Sequence, residues 1–196
     1  TATAGGAKPT AHLAGQRALQ DYLDRNGIQG RVVDAGPPGF YRIVYALATA
    51  ETVSIVGPFG QGERDRLRAA TSWPLLEFVA RPDEATGERL LFIDPAFQPE
   101  SPDWLSALLQ VLRPGVGAVG GKQLRADGTV EHIGLVLGLD GVAGRPFLNA
   151  PADYPGYFGN ALLIRTVSAV SGACLLTTTQ TFERVGEGAR MFRADL

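Results

Sequence analysis

The first forty-five residues combine one helical pattern with two short strand patterns. Between residues 13 and 25 the apolar side chains recur at helical spacing, and Asn26-Gly27 supplies a left-handed helix end. Residues 31–33 and 41–45 are short strand candidates on either side of a Gly-Pro-Pro-Gly turn. Residues 1–12 are mostly small with little to bury, so the sequence predicts a flexible lead there.

The next part of the chain alternates between strand and helix patterns. Apolar strand-like runs lie at 52–56, 75–80, 89–93 and 116–119, with helix-compatible segments at 63–70 and 101–112. Strands joined by helical crossovers pair mainly in parallel, so we expect an α/β fold: a three-layer sandwich around a mostly parallel mixed sheet.

The last part of the chain reads as a hairpin, a long loop and a returning strand. Residues 122–124 and 129–137 are expected to pair across an Asp-Gly turn. Residues 139–160 are rich in Gly, Pro, Asn and Asp, which predicts a loop. A strand is expected over 166–178, interrupted by Gly172, and a short helix begins near Phe182.

Composition narrows the class of protein. The 196 residues are 45% hydrophobic and 19% charged, which suits one globular domain. A net charge of -2 gives no electrostatic reason to expect nucleic acid as a partner. Cys174 is the one cysteine, so an internal disulfide and a cysteine zinc site are excluded, and we expect it to fill the core in a reducing compartment. No apolar run is long enough to span a bilayer.

A series of motifs carries a family resemblance. Residues 101–186 contain a capped helix, Gly-Ala-Val-Gly-Gly-Lys, Asp-Gly-Thr-Val-Glu-His, Gly-Val-Ala-Gly, Val-Ser-Ala-Val-Ser-Gly-Ala-Cys and Phe-Glu-Arg-Val-Gly. This order resembles family 2 glycosyltransferases, in particular the bacterial O-antigen and rhamnosyltransferase-like enzymes. The similarity extends to residues 90–105 and 16–47. It implies a GT-A-like (Rossmann-like) domain over 51–196, shortened in its donor half, with 13–50 packing on it.

The resemblance also implies a function. Such enzymes use a nucleotide-sugar donor with Mg²⁺ or Mn²⁺ and a glycan or lipid-linked acceptor, in surface polysaccharide assembly. They imply a cytoplasmic location, with peripheral association at the inner membrane as the alternative. For this chain, a non-catalytic descendant that binds a glycan or a protein is the second hypothesis.

The donor site is the part of the resemblance that departs from the family pattern. Pro58 and Asp94 match donor-binding positions, and Asp94 matches a metal position, whereas Ala96 replaces the second carboxylate. Asp94 can also be read as a solvated carboxylate that starts an Asp-Pro turn. The family's general base lies in an acidic segment beyond the Phe-Glu-Arg-Val-Gly helix, and the sequence ends at Leu196 soon after it, so no catalytic residue is assigned.

The resemblance places acceptor contacts at His132, Gly172 and Ala173. His132 lies on an alternating strand, so a partly buried structural histidine is the other interpretation. Gly172 and Ala173 leave room for sugar beside the backbone, or Gly172 marks a strand bulge. The aromatic residues of the 139–160 loop either stack on sugar faces or pin the loop to the protein.

Overall fold

The chain folds into two compact units in a computed structural model that describes residues 9–47 and 49–185, apart from the side chain of Pro9. The first unit is Thr1–Ala46 with Ala150–Thr166, and the second is Leu47–Asn149 with Val167–Leu196. The sequence pattern did not indicate that residues 150–166 join the N-terminal segment. No helix within 9–47 and 49–185 is both long and apolar enough to cross a membrane.

The first unit is a helix packed on a two-stranded sheet. Helix α1 is Pro9–Arg25, and strands β1, Gly30–Asp34, and β2, Tyr41–Tyr45, pair antiparallel. Side chains of α1 satisfy the backbone of β1: Gln16 Nε2 donates to Val32 O at 2.8 Å, and Gln20 Nε2 donates to Gly30 O at 3.1 Å. These bonds satisfy backbone carbonyl groups of β1 that would otherwise lack a partner at the edge of the sheet.

Helix α1 begins four residues before the predicted start, so residues 9–12 of the predicted flexible lead are helical, and residues 1–8 lie outside the described part. The reason is tertiary, because His12 is held in place by two contacts. Its Nδ1 accepts a hydrogen bond from Gly39 N at 2.9 Å, and its ring stacks on Tyr41 with centroids 4.8 Å apart. The predicted domain limits at residues 12 and 50 stay a prediction.

The second unit contains nine strands and three helices within its described residues. In chain order they are β3 (Val53–Val56), α2 (Gln61–Ala69), β4 (Leu76–Val79), β5 (Arg89–Ile93), α3 (Trp104–Leu109), β6 (Ala118–Gly120), β7 (Gln123–Leu124), β8 (Val130–His132), β9 (Val136–Leu137), β10 (Ala143–Gly144), β11 (Cys174–Thr178) and α4 (Thr179–Val185). Short 3₁₀ turns lie at Pro82–Glu84 in this unit and at Tyr157–Gly159 in the first.

Five of these strands form the central mixed sheet, in the order β4-β3-β5-β11-β6. Strand β3 pairs in parallel with β4 and β5, and β11 pairs antiparallel with β5 and β6. Four strands of this sheet therefore share one direction, and β11 runs against them. The α/β class and the mixed sheet expected from the sequence are confirmed.

Helices cover both faces of this sheet. Leu67 of α2 and Leu105 of α3 pack on one face with Ile55 and Leu91, in a cluster that also includes the buried Cys174. Phe182 of α4 packs on the other face, where its ring lies 5.4 Å from that of Phe92. The second unit thus has three layers, because each face of the sheet buries apolar side chains under a helix.

The expected strand over 166–178 is wrong in its first half. Strand β11 begins only at Cys174, and a turn precedes it in which Cys174 N donates to Ser171 O at 3.2 Å. The Ser171 hydroxyl accepts a bond from Ala173 N at 3.2 Å, so a serine side chain competes with the sheet for the backbone. The expected strand over 129–137 is likewise divided into β8 and β9.

Candidate functional site

Three of the sequence-predicted site residues meet at one edge of the central sheet. Pro58 follows β3, Asp94 follows β5, and Ala173 precedes the antiparallel β11. Asp94 N donates to Ala173 O at 3.1 Å, and β3 and β5 are adjacent. We call these three residues the carboxyl edge. In open α/β sheets, ligands bind outside the carboxyl ends of the strands, so this is the place where the fold favours a site.

Asp94 is exposed at this edge and starts a tight turn. Its Oδ1 accepts a bond from Ala96 N at 2.7 Å, and its carbonyl accepts one from Phe97 N at 2.9 Å. The turn that the sequence allowed is therefore present, and it occupies one of the two carboxylate oxygens. Ala96 is exposed beside it and has no ligand atom.

The described residues provide little protein coordination for a cation at this edge. Within residues 9–47 and 49–185, no three His, Cys, Asp or Glu side chains are grouped as a metal site. Mg²⁺ is often held by one or two carboxylates, with substrate phosphates and water completing its six ligands. Asp94 fits that mode only as a single protein ligand. Phosphate oxygens and water would have to supply the other ligands of a cation bound there.

Sequence reasoning missed Arg66 at the same edge. Its Nη2 donates to Pro95 O at 2.5 Å, which holds an exposed guanidinium one residue from Asp94. Guanidinium groups bind phosphate oxygens through several parallel hydrogen bonds. The signal was present in the sequence, because α2 directly follows β3 and its side chains must lie near the end of that strand.

The N-terminus of α2 is less open to an anion. Gly60 N donates to Glu63 Oε2 at 2.6 Å, so the helix's own carboxylate satisfies that backbone donor and adds a negative charge. A diphosphate at the carboxyl edge would therefore meet its positive charge at Arg66 rather than at the start of this helix.

His132 is buried, with 6% of its surface exposed. Its Nδ1 accepts a hydrogen bond from Gly134 N at 2.9 Å. Burial lowers the pKa of His132 below 6.5, and the nearby Arg145 lowers it further, so the ring is neutral near neutral pH. These contacts favour the structural interpretation of His132, and an acceptor contact there stays a prediction.

Glu131, beside His132, joins two arginines that the sequence analysis did not single out. It forms ion pairs with Arg125 and Arg145, and Arg125 also donates to Asn149 Oδ1. The hydrogen bond from Arg125 is the main cause that lowers the pKa of Glu131. This network fastens the β7–β8 hairpin to residue 149, so its first role is to order the loop that follows.

Gly172 and Ala173 lie in the turn before β11. A Cβ placed on Gly172 would meet no described atom within 4 Å, so the backbone there faces open space. Gly172 is outside the strand, and a strand bulge is therefore not the reason for this glycine. The space beside it is compatible with a close ligand, and its use by an acceptor stays a prediction.

Comparison with known proteins adds two relatives. The O-antigen biosynthesis protein RfbC of Myxococcus xanthus is 31% identical over an alignment 233 positions long, which covers 95% of this chain and 18% of that protein. The uncharacterized protein y4gI of Sinorhizobium fredii (strain NBRC 101917 / NGR234) is 31% identical over an alignment 229 positions long, which covers 92% of this chain and 25% of that protein. The chain thus spans a quarter or less of each relative's length. No family model matches the chain, and no solved structure matches it.

Proposed function

We propose that this chain provides a glycosyltransferase-like domain of the nucleotide-sugar-dependent family 2 type, used in the assembly of surface polysaccharide such as O-antigen. The observation that carries the proposal is the meeting of Pro58, Asp94 and Ala173 at the carboxyl edge. The similarity of most of the chain to part of an O-antigen biosynthesis protein supports it. We further propose that the domain works in the cytoplasm, with peripheral association at the inner membrane as the alternative.

The carboxyl edge is the proposed donor site. The nucleotide-sugar diphosphate would lie beside Asp94 and Arg66, and Asp94 would be the residue that holds Mg²⁺ or Mn²⁺ there. A bound cation would neutralise charge that develops on the leaving diphosphate. The acceptor, a glycan or a lipid-linked glycan, would approach from the open side of Gly172 and Ala173.

We assign no general base among the described residues. Inverting transfer needs a carboxylate within hydrogen-bond reach of the acceptor hydroxyl, so that its proton is removed as the anomeric carbon is attacked. We therefore assign binding roles in this proposal and no catalytic residue.

A second candidate function is supported by Ala96. Its methyl group stands where a second carboxylate would complete the acidic cluster, and the carboxylate of Asp94 is partly committed to its own turn. A descendant of the fold that binds a glycan or a protein without transfer would retain the sheet and lose this cluster. The donor titration below distinguishes the two candidates.

The test is calorimetric titration of the chain with UDP- and dTDP-sugars, each with and without Mn²⁺. We expect binding of at least one donor, strengthened by Mn²⁺, and loss of the Mn²⁺ effect in Asp94→Asn. The control is Asp140→Asn, an exposed aspartate in the β9–β10 loop whose left-handed backbone suits asparagine equally well. No heat at millimolar donor, or equal Mn²⁺ responses in both variants, would refute the donor-site assignment.

A further inference from the structure

The turn between β1 and β2 has few backbone donors, and ionisable side chains bind them. Its residues 36–39 are Gly-Pro-Pro-Gly, and proline has no N–H, so the turn offers two backbone N–H groups. Gly36 N donates to Asp34 Oδ1 at 2.8 Å, and Gly39 N donates to His12 Nδ1 at 2.9 Å. The hydrogen bond between this turn and α1 therefore depends on the protonation state of a histidine.

The bond from Gly39 fixes the tautomer and the orientation of the His12 ring. Because Nδ1 accepts from a backbone N–H, the neutral ring carries its proton on Nε2. A ring turned by half a rotation would present a C–H group to Gly39 and leave that donor without an acceptor. The ring is held in place, since it stacks on Tyr41 and the side chain is only 15% exposed.

Protonation of His12 removes the acceptor. An imidazolium carries a proton on both nitrogens, so either orientation of the ring presents a donor to Gly39 N. Two facing donors repel each other, and Gly39 N must then find its partner in water. The turn keeps its bond to Asp34 and the bond from Phe40 N to Pro37 O at 3.0 Å, but its hydrogen bond to α1 is lost.

The surroundings of the ring favour this movement in one direction. Asp34 Oδ2 lies 3.4 Å from His12 Nε2, on a carboxylate that is 61% exposed, so it attracts the charged ring while water screens part of the attraction. Tyr41 is the ionisable side chain of β2 against the ring, and its hydroxyl donates to His12 O at 2.7 Å. Residues 35–40 contain no ionisable side chain, and neither do residues 9, 15 and 16, one helical turn from His12. The charged ring is therefore drawn toward Asp34 and away from the turn.

We propose that His12 is a pH-sensitive latch between α1 and the β1–β2 turn, closed when the imidazole is neutral and open when it is protonated. Opening releases Gly39 N to water and leaves the pairing of β1 with β2 intact. Histidine is the side chain that ordinarily changes charge between about pH 5 and 8, so opening falls in that range. The latch lies within the first unit and does not depend on the proposed function.

The test is an NMR titration of the His132→Gln chain between pH 8 and 5. The sequence contains two histidines, so this substitution leaves His12 as the one imidazole. The amide proton of Gly39 should shift with the same midpoint as the ring protons of His12. Its protection against exchange with solvent should fall about tenfold, as expected for one lost hydrogen bond. The amide proton of Gly36, which Asp34 binds, should not follow this transition.

Two variants in the same background isolate the latch. His12→Asn provides an Oδ1 acceptor near the position of Nδ1 and does not titrate, so the Gly39 amide should stay bonded throughout. Asp34→Asn keeps an acceptor for Gly36 N but removes the negative charge, so opening should require a lower pH. Circular dichroism establishes that each variant is folded, and the titration of the His132→Gln chain decides by itself if one is not.

Three results would overturn the latch. The ring of His12 could titrate while the Gly39 amide stays bonded, or the ring could remain neutral down to pH 5. The Gly39 amide could also shift equally in His12→Asn, in which case another group causes the change. An unchanged midpoint in Asp34→Asn would contradict the part assigned to that carboxylate.

Discussion

Gly87 lies where the chain passes so close to β3 that a side chain has no room. A Cβ added to Gly87 would be 2.5 Å from Thr52 O and 2.7 Å from Ser54 Oγ. Gly87 N also donates to Ser54 Oγ at 3.0 Å, and Gly87 O accepts a bond from the Thr179 hydroxyl at 2.8 Å. Gly87→Ala must therefore displace backbone at a point that connects β3, β5 and α4.

The expected cost follows from two contributions. Forcing a methyl group into a filled space costs about 1–3 kcal/mol. Losing the buried bond between Gly87 N and Ser54 Oγ costs about 1–3 kcal/mol more. We expect Gly87→Ala to lower the free energy of unfolding by about 4 kcal/mol, a large part of the roughly 5–15 kcal/mol of a typical domain. The melting temperature should fall by about 8–16 °C for a chain of this size.

Urea denaturation followed by circular dichroism measures this change, and Gly62→Ala is its matched control. Gly62 lies in α2, and an added Cβ would meet no described atom within 4 Å. The same substitution should there raise the free energy of unfolding by about 0.5–1 kcal/mol, because alanine favours the helix. The reasoning is refuted if Gly87→Ala unfolds within about 0.5 kcal/mol of wild type, or if both variants lose equal stability.

Three further changes test the core and its titrating groups. Burial alone would raise the pKa of Glu77, but hydrogen bonds from Ser54 and Thr86 lower it below 4.5. The stability that this carboxylate contributes is therefore present above pH 4.5 and is lost as the pH falls through the folded pKa. In urea titrations at decreasing pH, Glu77→Gln should reduce this loss of stability in acid, and an unchanged loss would contradict the assignment. Burial lowers the pKa of His132 below 6.5, so the wild-type chain should lose stability as the pH falls below 6.5. In His132→Gln, the free energy of unfolding should not depend on pH in this way between about pH 7.5 and 5.5. An equal pH dependence in both proteins would count against a buried neutral ring. Leu105 is fully buried, so Leu105→Ala should lower the free energy of unfolding by about 3–5 kcal/mol, and a loss below about 1 kcal/mol would show that the α3 contact is not part of the core.

Several parts of the candidate site could be anticipated from the chain alone. Pro58 and Asp94 follow strong β-branched and apolar runs, and residues at the ends of parallel strands meet at one edge by geometry. Cys174 was expected in the core because it stands in an apolar run, and it is buried beside Leu176 in the sheet. Arg66 was missed because the order of β3 and α2 places the helix near this edge but does not show which of its exposed side chains reaches Pro95.

Other parts depended on contacts between distant residues. His132 is buried in the folded chain, where β8 pairs with β7 and Gly134 N donates to its ring, whereas alternation alone left two interpretations open. Residues 166–173 have the composition of a strand, yet the Ser171 hydroxyl and the turn before Cys174 delay β11 by several residues. Local propensity is a weak guide where a side chain offers the backbone an alternative hydrogen bond.

The order of apolar and polar residues by itself determined the helices, the central strands and their layered α/β arrangement, because burial of apolar faces depends on period and the period is written in the chain. The tertiary structure decided which separated segments share a surface. It placed Arg66 beside Asp94 and brought residues 150–166 into the first unit, where Gly159 meets Phe40. Such meetings depend on the path of the backbone in three dimensions, which no local pattern encodes.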